Sequence, residues 1–66
     1  MHLTLVAKDP ESQPAGSPTL YRTENGSWIV KGWAVTDPDA LAQMSIPEGE
    51  TACEIPGRLV PFFREK

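Results

Sequence analysis

Apolar and polar positions alternate most regularly from Thr19 to Val35, in TLYRTENGSWIVKGWAV. β-rich runs flank Asn25-Gly26, a pair that tolerates the positive φ of a two-residue hairpin turn. The pattern predicts a hairpin over about 19–35. With a two-residue loop, Thr23 faces Trp28, Tyr21 faces Val30 and Thr19 faces Gly32. On the opposite side of the sheet, Arg22 lies across from Ile29 and Leu20 across from Lys31. A three-residue loop with a bulge at the glycine would slip this register by one and exchange some pairs. Trp28 and Trp33 are five positions apart, so a regular strand puts them on opposite faces. Gly32 is a plausible bulge or kink site that would change this parity.

Downstream, Asp37 and Pro38 form a helix start. The carboxylate can accept an orphan amide of the first turn, and proline needs no amide hydrogen there. Asp39 adds negative charge at the positive end of the helix dipole. Ala40, Leu41 and Met44 make a small apolar stripe, and Pro47 stops the helix, which is expected over about 38–45. Alternation in ETACEI predicts a strand over about 50–55, with Thr51, Cys53 and Ile55 facing the core and Glu50, Ala52 and Glu54 facing water. The last run clusters Leu59, Val60, Phe62 and Phe63 in a short helical turn starting near Arg58, with both phenylalanines docked on the sheet. At the other end, HLTLV reads as a short edge strand. Residues 7–18, AKDPESQPAGSP, have the composition of a mobile loop. The expected fold is a small α+β domain: an antiparallel sheet of three to four strands, one main helix on one face, and a short C-terminal helical turn.

Sixty-six residues make a single small domain. A chain this short buries only about 60% of the surface its unfolded form exposes. Such domains usually add a disulfide, a metal or a partner chain. One cysteine and one histidine exclude an intrachain disulfide and a zinc site of Cys and His ligands. Their absence favours a homodimer or another protein partner. The single thiol suits a reducing compartment, and the N-terminus reads as neither a signal peptide nor a membrane span. The expected protein is therefore cytoplasmic, with no membrane association.

Net charge is −3, unevenly spread. Between Lys31 and Arg58 there is no basic residue, while Asp37, Asp39, Glu48, Glu50 and Glu54 all fall there. An acidic centre suits a basic partner, such as a basic regulator, and argues against binding a phosphate backbone.

No catalytic constellation is legible. Cys53 falls on the expected buried face, and His2 lies near the end of the chain. Asp37 and Asp39 are explained by helix capping, and the five glycines form no phosphate-binding loop. We expect no enzyme, no cofactor and no metal. The aromatic residues are the better lead. If strand 27–35 is regular, one helix covers only one of its faces, and exposed tryptophans are enriched in interfaces. The candidate interaction surface comprises Tyr21, Trp28, Trp33, Phe62, Phe63, Glu50 and Glu54. An alternative function is single-stranded nucleic-acid binding, with Tyr21, Trp28 and Trp33 as stacking groups.

Three segments also carry a resemblance. Ser17–Gly26 follows SPT-[LVI]-Y-x-T-[DE]-x-G, Val30–Pro38 follows V-x-G-W-x-V-[TD]-D-P, and Ile46–Pro56 follows [LI]-P-x-x-E-x-x-x-E-[IV]-P. Together they resemble a set of short proteins from high-GC actinobacteria with no known activity. The pattern that contains these segments runs from Ser17 to Leu59, about two-thirds of the chain. It implies a regulatory accessory role, because such proteins resemble products encoded beside helix-turn-helix regulators.

Overall fold

The computed structural model describes residues 1–11 and 18–64. Strands β1 (Leu3–Lys8), β2 (Thr19–Thr23) and β3 (Trp28–Lys31) form an antiparallel sheet in the order β1-β2-β3. Strands β4 (Trp33–Ala34) and β5 (Cys53–Glu54) form a second, two-stranded antiparallel sheet. Helix α1 (Pro38–Met44) lies between β4 and β5 in sequence, and a 3-10 helix (Gly57–Arg64) follows β5. The architecture is small α+β. The strand expected over 50–55 is shorter, limited to Cys53–Glu54. Of the segment expected to be a loop, Ala7 and Lys8 belong to β1, while residues 12–17 lie outside the described set.

The hairpin uses the three-residue loop. Gly26 donates its N–H to the Thr23 carbonyl at 3.2 Å, and Thr23 donates to the Ser27 carbonyl at 3.0 Å. Gly26 sits at φ 87°, the left-handed region that favours glycine. The Thr23 hydroxyl decides between the two loops. It accepts the N–H groups of Asn25 and Ser27, each at 3.2 Å, and shares a proton with the Ser27 hydroxyl at 2.7 Å. A side chain that satisfies two loop amides stabilises the longer turn. The register is therefore slipped by one from the two-residue expectation: Arg22 pairs with Trp28, Tyr21 with Ile29, Leu20 with Val30 and Thr19 with Lys31.

A bulge between Leu5 and Ala7 interrupts the β1–β2 register. Before it, Leu3 and Leu5 share the face of Thr23 and Tyr21; after it, Ala7 pairs with Leu20. One extra residue thus turns Ala7 inward, although its odd number matches Leu3 and Leu5.

The core lies on the Leu20 face of this sheet. Ala7, Leu20 and Leu59 are buried, with Val6, Trp28, Val30, Ile55 and Phe63 packed around them. The cover comes from the 3-10 helix, which supplies Leu59 and Phe63. Helix α1 buries no residue, so the expectation that the main helix covers the sheet is corrected. Pro61 lies inside the 3-10 helix; its missing amide and fixed φ disfavour an α-helical continuation through it. Phe63 docks as expected. Phe62 does not: it is 43% exposed.

An ion pair between buried Asp9 and the partly exposed Arg58 joins the two ends of this unit. Asp9 has no exposed surface, and its carboxylate accepts two hydrogen bonds from Arg58, at 2.6 Å from Nε and 2.7 Å from a terminal nitrogen. It also accepts the Glu11 N–H at 3.3 Å. The Asp9 N–H in turn donates to the Pro18 carbonyl at 2.9 Å. Paired, hydrogen-bonded charge is the form in which a carboxylate tolerates burial. Donating to the Asp9 carboxylate raises the Arg58 pKa above its ordinary value.

Candidate interaction surface

Parity within one strand does not settle the positions of the two tryptophans, because the strand ends between them. A Cβ on Gly32 would lie 2.5 Å from the Glu54 carbonyl oxygen and 3.1 Å from Cys53 Sγ. Only glycine lets the chain pass this close to β5. Beyond it, Trp33 pairs with Glu54 in the second sheet.

The two indoles consequently have different surroundings. Trp28 is half-buried and meets Phe63 edge-on, with ring centroids 4.9 Å apart and planes at 64°. The Arg22 guanidinium sits 5.5 Å from its ring centroid, within range of a cation–π contact. Trp33 is 44% exposed.

The remaining candidates are also dispersed. Tyr21 lies on the face of the three-stranded sheet opposite the core, between Leu5 and Ile29. Phe62 and Glu50 are exposed, as is Glu54 beside Trp33. The structure thus brings Trp28 to Phe63 and Trp33 to Glu54. Tyr21 shares a face with neither tryptophan, since Trp28 pairs with Arg22 on the core side.

A different cluster emerges around Tyr21. Leu3 is 40% exposed, Leu5 56% and Ile29 38%, and all three share the Tyr21 face. Leu3 and Leu5 fall within the edge strand expected from HLTLV, but nothing in the sequence gave them a role. Ile29 became their neighbour only through the slipped hairpin register. At the far end of the same face Thr19 is buried, with Lys8 and Lys31 as its cross-strand partners.

The second region of interest is a groove of about 460 Å³ between α1 and the β4–β5 sheet. Ala34, Val35, Ala40 and Met44 form its apolar lining, and Thr36, Asp37, Cys53 and Glu54 its polar one. Asp37 is fixed by its capping role, accepting the Ala40 N–H at 3.2 Å. Ser45, in a left-handed conformation, closes the other end of α1 by donating to the Leu41 carbonyl at 3.3 Å.

Cys53 was expected in the core; it is exposed, because β5 pairs with β4 and not with the core sheet. His2 donates its backbone N–H to Glu24 at 2.8 Å, far from Cys53 in the topology. Glu24 is held below the ordinary glutamate range by its own backbone N–H first and by that of His2 second. Among the described residues, no three His, Cys, Asp or Glu side chains gather as a metal site, and no helix is long and apolar enough to cross a membrane.

No protein-family model, curated protein or solved structure matches the chain.

Proposed function

We propose that this protein is a non-catalytic interaction protein that self-associates through the outer face of its three-stranded sheet. The observation that carries the reading is the group of exposed apolar side chains Leu3, Leu5 and Ile29 around Tyr21. One face of a small sheet is covered by the 3-10 helix, while on the other face Leu3, Leu5 and Ile29 remain 38–56% exposed. Contiguous apolar surface of this kind marks association sites in small domains. Two copies stacking their outer faces would form a sandwich about 10 Å between sheets. A two-fold axis suits a patch that meets itself.

The resemblance to actinobacterial proteins beside helix-turn-helix regulators supports a regulatory accessory role. An exposed, unpaired thiol at Cys53 persists best in a reducing compartment, which supports a cytoplasmic location.

Size-exclusion chromatography with light scattering tests the reading. The expected result is a dimer, with Leu5→Lys weakening association by roughly a hundredfold, the scale of an unpaired charge placed in an apolar contact. Leu5 is exposed, so the variant keeps its fold. A monomer at high concentration, or a dimer indifferent to Leu5→Lys, overturns the proposal.

A further inference from the structure

Helix α1 is only seven residues long. Isolated helices shorter than about 12–15 residues are marginal in water, and in proteins most helical stability comes from packing an apolar face. Yet no residue of α1 is fully buried, and Leu41 and Met44 remain 37% and 44% exposed. Its Asp37 cap contributes about 1 kcal/mol. The groove beside it has the volume of a small binding site, within the range of about 300–1,000 Å³.

The charge around this groove is one-signed. No lysine or arginine occurs between Lys31 and Arg58, and five carboxylates do. Two of them, Asp37 and Glu54, line the groove together with Ala34, Val35, Ala40 and Met44.

We infer that the groove between α1 and the β4–β5 sheet is a docking site for a basic amphipathic segment of a different protein. Aliphatic side chains of that segment would pack on Val35 and Met44, and its lysines or arginines would meet Asp37 and Glu54. A second copy of this chain fits less well, because two of its cations are committed: Arg58 to Asp9 and Arg22 to the Trp28 ring. The inference shares with the proposed function only the idea of a binding protein. It uses another surface, so each fails on its own measurement.

The test is a titration of the isotope-labelled full chain, at physiological salt, with a synthetic peptide of leucine and lysine in amphipathic helical spacing. The same peptide with glutamate for lysine is the control. Expected are amide shift changes confined to residues 33–44 and 53–54, and none with the control. Glu54→Lys should weaken binding roughly tenfold, about 1.4 kcal/mol. Met44→Ser should weaken it several-fold, and Glu24→Lys, outside the groove, should leave it unchanged. Both groove positions are exposed, and circular dichroism confirms that the variants stay folded. The inference is overturned by an absence of shift changes, or by changes spread over every acidic position. It is equally overturned if Glu24→Lys weakens binding as much as Glu54→Lys, or if Met44→Ser has no effect. Concentration-dependent shifts of the same amides without peptide would also overturn it, by placing a second copy in the groove.

Discussion

The two sheets of this protein are held together in different ways. Among the described residues, all the buried ones belong to the three-stranded sheet, its 3-10 helix or the positions next to its strands: Ala7, Leu20 and Leu59 in the core, Thr19, Thr23 and Asp9 among the polar groups, and Pro18. Residues 33–54, which hold β4, α1 and β5, contain none. The charge divides the same way. Residues 33–54 carry five carboxylates and no base, and the rest of the chain carries six bases and four carboxylates, a net +2. One region is built by burial and a paired charge. The other is shaped mainly by local devices, a helix cap, a left-handed Ser45 and a turn at Gly49, with the short β4–β5 pairing to close it. Burial is cooperative and local devices are not, so the regions should differ in how they respond to damage.

The largest expected effect breaks the first region. Leu20→Ala removes the centre of the core from a fully buried position and should cost about 3 kcal/mol, read as a lower urea midpoint. For a domain of this size that is a large share of the total stability. Asp9→Asn comes next. It presents an amide where the Arg58 donors meet a buried carboxylate, and about 2 kcal/mol should be lost in the same measurement.

Asp37→Ala sharpens the contrast. Losing the cap should cost about 1 kcal/mol, confined to α1. Hydrogen exchange should show faster amides at Ala40 and its neighbours, while the sheet amides and the urea midpoint stay unchanged. A matching loss of sheet protection would mean that the regions unfold as one.

The smallest effect is a pH dependence at the hairpin end. The Glu24 pKa is lowered on folding, so its contribution is complete above the ordinary glutamate range. It is lost as the pH falls through the lowered value. Stability measured from about pH 6 to about pH 3 should therefore fall more steeply for the native chain than for Glu24→Gln.

What could be read from the sequence were the features that depend on neighbours in the chain. Asp37 and Pro38 announced a helix because capping involves residues three apart, and the observed Pro38–Met44 is close to the expected 38–45. Asn25-Gly26 announced a hairpin because the turn itself requires positive φ. Pro47 announced the end of that helix, and α1 does stop before it, at Met44.

Tertiary structure decided what depends on distant groups. The hairpin register is the exception, set locally by the Thr23 hydroxyl, whose bonds to amides two and four residues away outweigh the two-residue turn that Asn-Gly prefers. The path of the chain at Gly32 followed β5, which lies there only after the intervening residues have folded back. Asp9 looked like part of a polar loop until Arg58, 49 positions away, made its burial tolerable. Cys53 reads as a core residue by alternation, yet alternation names two faces without saying which is covered. The cover of the sheet went to the 3-10 helix, since Leu59 and Phe63 reach it and α1 does not. Local rules act through bonds and hydrogen bonds a few residues long, whereas burial is a property of whatever else arrives at the same place.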